Sequence, residues 1–253
     1  YKTSLYDEKG NRRDDFALKD LFGVSYTGEV RDTALDSYQL IRKPDHPLLK
    51  NMEPDKTQMV MNEGSTLLCT IPEGSSAQMV LSLVPQIPNQ PPEYAWIPEV
   101  TTGYVTAAAN AYGKGRVIYF ANQTDKLCWT NGHEDFINLY ANAIDYVLCS
   151  PLALTTNAPT SVHMVLTRHS ENAKQMVLSL VNTTSSAMRP IRDLVPVTGI
   201  FVDLEGVDTE EYTVLKQDDP VRVESRTASD RHSVTRIWVD KLDAFASVHI
   251  KAR

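Results

Sequence analysis

The chain of 253 residues is poor in cysteine and has no long apolar run. Its three cysteines, Cys69, Cys128 and Cys149, are odd in number and widely spaced, which argues against a disulfide framework or a zinc knuckle. We expect them to be small buried side chains. No stretch approaches the roughly 18 apolar residues of a membrane-spanning helix. The opening Tyr1-Lys2-Thr3 has neither a methionine nor a signal-peptide apolar segment, so we expect a soluble chain whose parent begins upstream.

Basic charge is also scarce. Lysine and arginine total 25 against 32 acidic residues, for a net charge of −7. An acidic surface without a basic stripe argues against nucleic acid and against anionic membranes as partners. The composition assigns the chain to no particular compartment.

Several motifs of catalysis and cofactor binding are missing. The sequence has no Gly-x-Ser-x-Gly or Gly-x-Cys-x-Gly elbow, no phosphate-binding loop and no His-Glu-x-x-His metal motif. Gly113-Lys114-Gly115 lacks the third glycine of a dinucleotide site and precedes a strand pattern, so it is read as a tight turn. The six histidines are scattered and are expected to be structural. We therefore predict no cofactor, no metal and no catalytic residue in this chain.

The first 150 residues mix helix and strand patterns. A short helix is predicted from Arg13 to Phe22, ending at Gly23, and a longer one from His133 to Cys149. Short apolar or alternating segments predict strands at 66–71, 78–84, 104–111 and 116–120. In the long helix the predicted buried stripe consists of Ile137, Tyr140, Ala141, Ile144, Val147 and Leu148. Burial of this stripe predicts that Ile144→Asp unfolds or aggregates the protein.

The remainder of the chain has an almost pure strand pattern. Seven short strand candidates at 162–167, 176–181, 199–204, 212–215, 221–223, 235–239 and 246–250 predict a β-sandwich of about 100 residues. The polar, proline-bearing segment 150–159 is the predicted domain boundary.

Two kinds of residue are candidates for carbohydrate chemistry. Acidic pairs such as Asp14/Asp15 are adjacent in sequence, whereas the two carboxylates of a glycosidase face each other about 5–10 Å apart, so helix capping explains these pairs more simply. Trp129 stands in a segment, Asp125 to His133, that reads as a polar loop. A flat aromatic there suits packing against a neighbouring domain or stacking on a sugar.

Longer motifs carry a family resemblance. They are the opening segment Thr3-Ser-Leu-Tyr-Asp-Glu-Lys-Gly through Phe22-Gly-Val, His46-Pro-Leu-Leu49, Tyr112-Gly-Lys-Gly-Arg-Val-Ile-Tyr-Phe120, then Asp125, Trp129, Gly132-His133 and Leu139-Tyr-Ala-Asn-Ala, and finally the strands from Ser161 through Leu180-Val-Asn182. Together they resemble the region behind the catalytic barrel in a group of hypothetical glycosyl hydrolases, related to the β-galactosidase trimerisation domain. The resemblance covers most of the chain.

This resemblance implies a fold. Residues 1–150 would form part of a flavodoxin-like, class I glutamine amidotransferase-like α/β domain with a β-rich insertion. Residues 151–253 would form the C-terminal β-sandwich. The first half of the α/β domain and the upstream (β/α)8 barrel would be absent from this chain.

It also implies a role. In such proteins the barrel carries the catalytic carboxylates, and the amidotransferase-like domain has lost its cysteine and serves oligomerisation or walls the active-site cleft. The chain alone is then expected to be a non-catalytic accessory part, with the upstream barrel, a second copy and carbohydrate as possible partners. Residues expected to face the substrate or barrel are Tyr6, Asp7, Arg13, Asp125, Trp129 and His133. Two alternatives stay open: a carbohydrate-binding module built on Trp129, and a glycosidase using Asp7 and Asp125.

Overall fold

The computed structural model describes residues 1–53, 58–86, 91–97, 99–148, 150–184, 194–215, 221–227 and 233–253. The fold is mostly β, with 47% strand and 15% helix. The chain divides into two compact units, Tyr1–Cys149 and Ser150–Arg253. Cys149, where the longer helix was predicted to end, lies outside the described residues.

The first unit contains eight main helices and strands. In chain order they are α1 (Lys19–Phe22), β1 (Ser25–Ile41), β2 (Met59–Thr70), β3 (Gln78–Val84), β4 (Val105–Tyr112), β5 (Gly115–Phe120), α2 (Thr124–Asn131) and α3 (Glu134–Val147). Single 3-10 turns occur at Pro47–Leu49 and Pro92–Tyr94. The predicted strands and the long helix are present, whereas most of β1 and all of α2 were missed.

The five strands form one sheet in the order β2-β1-β3-β4-β5, and every neighbouring pair is antiparallel. The predicted flavodoxin-like core, which needs a parallel sheet, is not seen among the described strands. The connections explain the difference. β4 and β5 are joined by a two-residue turn at Gly113-Lys114, which suits only antiparallel neighbours, because a parallel pair needs a crossover of a dozen or more residues.

The N-terminal helix is shorter than predicted. The sequence predicted Arg13–Phe22, but only Lys19–Phe22 is helical. Asp15, expected to cap the helix, instead accepts the Tyr26 backbone N–H at 2.8 Å and so ties the segment to β1. The predicted stop at Gly23 is confirmed: its φ is +70°, and a Cβ there would lie 2.5 Å from the Ala77 side chain.

Apolar residues cover both faces of this sheet. On one face the N-terminal segment contributes an aromatic cluster, in which the Tyr119 ring stacks on Phe22 at 4.7 Å and meets Phe16 at 5.2 Å. The other face packs against α3 and the Pro47–Leu49 turn through Leu81, Leu139 and their neighbours. The alternation of β4 produces this division, because Ala108 belongs to the first cluster while Ala107 and Ala109 belong to the second.

The orientation of α3 differs from the predicted one. Its buried residues are Phe136, Leu139, Asn142 and Ala143. Of the predicted stripe, Ile137, Tyr140, Ala141, Ile144 and Leu148 are exposed and Val147 is half-buried. The apolar residues of α3 form one wide face, of which the part with Phe136, Leu139 and Ala143 is buried, so helical spacing alone did not identify the part that meets the sheet.

The second unit contains eight strands. They are β6 (Leu154–Thr156), β7 (Val162–Arg168), β8 (Gln175–Asn182), β9 (Val197–Glu205), β10 (Thr209–Leu215), β11 (Val221–Thr227), β12 (Ser233–Leu242) and β13 (Phe245–Ala252). They form two four-stranded antiparallel sheets, β10-β13-β8-β7 and β11-β12-β9-β6. Leu178 and Val248 of one sheet share a core with Val202 and Ile237 of the other, which makes a β-sandwich. The short edge strand β6 was not predicted.

Candidate functional site

Three of the predicted site residues belong to one tight turn that precedes α1. Tyr6 and Arg12 form an isolated antiparallel bridge that closes the turn. Inside it, Asp7 Oδ1 accepts the backbone N–H groups of Lys9 at 2.9 Å and Asn11 at 2.7 Å. The Arg13 guanidinium donates to the Tyr6 carbonyl oxygen. The turn thus holds Tyr6, Asp7 and Arg13 together through their own short-range contacts.

The carboxylate of Asp7 is stabilised in its ionised form. A hydrogen bond from the Asn11 side-chain amide to Asp7 Oδ2, at 2.9 Å, is the largest of several effects that lower the pKa of Asp7 below its ordinary value of 3.8. A group with a lowered pKa holds no proton near neutral pH and is poorly suited to be a general acid. The contacts of Asp7 are those of a turn-forming residue.

The other three predicted residues lie on α2 and at the start of α3. The segment 125–133, expected to be a loop, is helical over Thr124–Asn131. Asp125 stands in the first turn of α2, where the helix dipole stabilises a negative charge. Trp129 is 89% exposed near the other end. His133 caps α3, and its Nδ1 accepts the Asp135 backbone N–H at 3.2 Å.

Asp125 also borders a cleft at the end of the sheet. This cleft has a volume of about 260 Å³, and its other walls include Tyr1 and Thr3, Phe120 of β5 and Tyr140 of α3. Its lining combines aromatic rings, several hydroxyl groups and one carboxylate, a mixture suited to a polar organic ligand or to an apolar chain segment.

A buried polar network lies between β2 and the start of α2. Asn122 donates to the Asn62 side-chain oxygen at 2.7 Å, and Asn62 donates to Ser37 at 2.9 Å and to Thr66 at 3.0 Å. Thr124 donates to Asn122 at 2.7 Å. The sequence analysis missed this network. Ser37 of β1 and Asn62 of β2 occupy buried strand positions, where apolar residues are usual. This departure from the usual pattern was the signal that the sequence offered.

The thiol of Cys69 is fully buried beneath the N-terminal segment. Burial raises its pKa to about 12, despite a side-chain hydrogen bond with Tyr119. Burial likewise raises the pKa of Tyr119, whose hydroxyl donates to the Tyr1 carbonyl oxygen at 2.7 Å. Cys69 is therefore an inert core residue, since thiolates are the reactive form. Cys128 is half-buried.

The second unit carries a larger open groove on the sheet β10-β13-β8-β7. Its volume is about 500 Å³, and its polar walls include Thr167, Thr213, His249, Glu211 and Lys251. Lys251 bridges Glu210 at 3.2 Å and Glu211 at 3.4 Å, and the hydrogen bond to Glu210 is the largest effect raising the pKa of Lys251. Because Lys251 pairs with these two glutamates, the end of the groove near Lys251 carries only a small net charge.

The predicted site residues fall into two groups on different elements. Tyr6, Asp7 and Arg13 form the turn before α1, and Asp125, Trp129 and His133 follow β5. In the described part of the chain, no three His, Cys, Asp or Glu side chains are grouped to hold a metal ion. Among the same residues, no helix is both long enough and apolar enough to cross a membrane.

Comparison with known proteins gives one structural likeness. The chain is similar to alpha-L-fucosidase isoenzyme 2 from Paenibacillus thiaminolyticus, with a TM-score of 0.65 and 13% sequence identity. The match covers 92% of this chain and 34% of the fucosidase, so the chain spans about a third of that protein's length. No protein-family model and no curated protein sequence matches. At this identity the likeness shows a shared fold, one that occurs within a glycoside hydrolase.

Proposed function

We propose that this chain is a non-catalytic accessory part of a larger glycoside-hydrolase-like protein. The observation that carries the proposal is the unequal coverage of the structural match: nearly all of this chain corresponds to only a third of a fucosidase. The catalytic carboxylates would then lie in an upstream (β/α)8 barrel of the same polypeptide, at the C-terminal ends of its strands.

The chemistry of the described residues supports an accessory role. Asp7 is ionised and satisfied within its own turn, and Asp125 stands at a helix start on a different element. A glycosidase instead needs one protonated and one ionised carboxyl group facing each other across the sugar. The buried thiol of Cys69 is unsuited to nucleophilic attack.

The finer assignment follows the family resemblance. The first unit would serve oligomerisation or wall the active-site cleft, the role that the resemblance implies, although its described strands are antiparallel and do not form an amidotransferase-like parallel sheet. Tyr6, Asp7, Arg13, Asp125, Trp129 and His133 would then face the barrel or its substrate. Such a role needs these side chains to be held in place and needs no chemistry from them.

The test is a comparison of this chain with the longer polypeptide that its gene encodes, on a panel of aryl glycosides. We expect turnover by the longer protein and none by residues 1–253 alone. Turnover by the short chain that is lost in Asp125→Asn would instead support a glycosidase built on Asp7 and Asp125. An inactive longer protein would remove the support for an accessory role in hydrolysis.

A second candidate function is carbohydrate binding by Trp129. The observation that favours it is exposure: an indole that is 89% exposed on α2 leaves its ring face free to stack on a sugar. Packing against another part of the parent protein would use the same ring face.

Titration calorimetry with neutral oligosaccharides tests this second candidate. Trp129→Ala is expected to abolish binding, while Trp96→Ala, which removes another exposed indole at 58% exposure, leaves it unchanged. Equal affinities of both variants and the parent chain would exclude Trp129 as the platform.

A further inference from the structure

The groove of the second unit is formed by two rows of side chains that cross the sheet β10-β13-β8-β7. In the first row, the register places side by side Thr167, Val177, His249 and Thr213. In the second row, it places side by side Gln175, Lys251 and Glu211. The residues that alternate with these rows, such as Val248 and Ile250, are buried in the sandwich core, so both rows face outward.

The dimensions of the groove suit an extended ligand. It is lined by residues of all four strands, and three intervals of about 4.8 Å between neighbouring strands give it a length of about 14 Å. Its volume of about 500 Å³ lies within the range of ligand pockets, which is about 300–1,000 Å³. A short chain molecule can therefore lie across the strands.

Several polar side chains of the groove have unused hydrogen-bonding groups. Within the described part of the chain, the side chains of Gln175, Thr213 and His249 make no hydrogen bond and no ion pair. The Thr167 hydroxyl donates to the Val177 carbonyl oxygen at 3.3 Å and keeps its acceptor lone pairs. An amide, a hydroxyl and an imidazole can each donate and accept, as the hydroxyl groups of a sugar do. The groove thus matches a ligand with many hydroxyl groups.

Apolar surface lies between these polar groups. Val177 stands between Thr167 and His249 in the first row and is half-buried. Such a mixture of apolar surface and placed polar groups fits a sugar ring, which has C–H faces and a rim of hydroxyl groups. An extended peptide would gain less here, because the central strands β8 and β13 are paired on both sides and leave no backbone groups for strand addition.

The charges around the groove balance one another. Lys251 bridges Glu210 and Glu211, and Arg168 is the second cation of the lining. Two basic and two acidic residues also lie at this end of the sheet: Lys174, Arg253, Glu171 and Asp208. Nucleic acids and other polyanions need a clear excess of positive charge at their binding sites. The balance therefore favours an uncharged ligand.

We propose that the groove of the second unit binds a neutral oligosaccharide that lies across the four strands. Gln175, Thr213 and His249 hydrogen-bond its hydroxyl groups, and Val177 contacts the face of a sugar ring. This inference rests on the proposed function, because a glycan is the hydroxyl-rich chain that a glycoside-hydrolase-like parent would meet. The groove is a binding site separate from the Trp129 ring, which belongs to the first unit.

Titration calorimetry of the 253-residue chain with cellohexaose, xylohexaose, mannohexaose and maltohexaose tests the proposal. We expect at least one of these neutral probes to bind, and the double variant Thr213→Val/His249→Ala to bind it more weakly by about tenfold or more. His163→Ala is the matched control, because His163 is exposed on the same outer face but outside the groove. All the substituted side chains are exposed, so these variants should fold like the parent chain, which circular dichroism checks.

Chemical modification of histidine locates the bound probe. Diethyl pyrocarbonate acylates exposed imidazoles, and peptide mass spectrometry reports His249 and His163 separately. At a probe concentration about ten times the dissociation constant, modification of His249 is expected to slow by about tenfold, whereas that of His163 stays unchanged. Equal rates at His249 with and without the probe would contradict binding in the groove.

The remaining outcomes also decide the matter. Absence of binding to all four probes overturns the proposal, and so does binding that the double variant retains in full. Binding that is lost in Trp129→Ala and retained in the double variant assigns the sugar to Trp129 and overturns the groove. Glycosidase assays on the longer polypeptide separate this inference from the proposed function. Groove binding with an inactive longer protein contradicts only the proposed function, whereas hydrolysis without groove binding contradicts only this inference.

Discussion

The side-chain amide of Asn142 on α3 donates to the backbone carbonyl of Lys50 at 2.7 Å, and also to that of Leu48 at 3.0 Å. The contact fixes the Pro47–Leu49 turn to the helix that covers one face of the first sheet. A polar residue thus belongs to the buried helix side, where its donors satisfy carbonyl groups that have no strand partner.

Asn142→Ala is expected to destabilise the first unit by about 1–3 kcal/mol, because it leaves buried carbonyl oxygens without donors. Urea unfolding followed by circular dichroism measures the change. Asn138→Ala, on a half-buried position of the same helix, is the matched control and should stay within about 0.5 kcal/mol of the parent chain. Equal effects of the two substitutions would show that the Asn142 contacts contribute little.

Ile144→Asp is expected to leave the 253-residue chain folded, with a change in unfolding free energy below about 1 kcal/mol, since the side chain is exposed. This reverses the expectation drawn from the apolar spacing. Leu139→Asp, on the buried side, should prevent folding because it places a charge in the core. Thermal unfolding of both variants decides which side of α3 meets the sheet; loss of folding by Ile144→Asp would contradict the described orientation.

Asp203→Asn is expected to destabilise the sandwich by about 1.5–3 kcal/mol. Both Asp203 oxygens accept from Arg236 at 2.6 Å, and the Arg236 guanidinium lies over the Phe201 ring at 4.3 Å. The asparagine places an amide N–H group against a guanidinium donor. Asp243→Asn breaks a more exposed pair with Lys241 and should cost less than about 0.5 kcal/mol. Urea midpoints that fall equally in both variants would contradict this ranking.

Cys69 is expected to resist alkylation in the folded chain near pH 8. Burial and a pKa of about 12 leave it almost no thiolate. Peptide mapping after iodoacetamide treatment should show the half-buried Cys128 labelled well before Cys69. In denaturing urea both should react alike; rapid labelling of Cys69 in the native chain would show that the N-terminal segment does not cover it.

Asp7 is expected to contribute stability that depends on pH. Its pKa is lowered in the folded chain, so the contribution is fully present above the ordinary value of 3.8 and is lost as pH falls through the lower folded value. The advantage of the parent chain over Asp7→Asn should thus be largest near neutral pH and should shrink below about pH 4. Urea midpoints across this range measure it, and a constant difference would contradict the turn contacts described here.

The types of the main elements were accessible from the sequence. Gln78–Val84 is a short, mainly apolar run and β-branched residues recur through the second unit, so strands were predicted where they occur, and Gly23 marked the end of α1. Local period and turn chemistry determine these features, because they depend on neighbours only a few residues apart. The site residues were predicted less well: the polar composition of residues 125–133 indicated a loop around Trp129 and did not reveal that this residue stands on a helix with an exposed ring.

Tertiary structure decided the features that depend on distant partners. The wide apolar face of α3 contains both Leu139 and Ile144, and only packing against Leu81 and the Pro47–Leu49 turn selects Leu139 as the buried side chain. The order of the first sheet, with β1 between β2 and β3, likewise depends on pairing across long stretches of chain. The network joining Asn62 to Asn122 links residues 60 positions apart. The sequence determined which segments are strands and helices, and long-range packing and pairing determined how they are assembled, because those contacts have no local period.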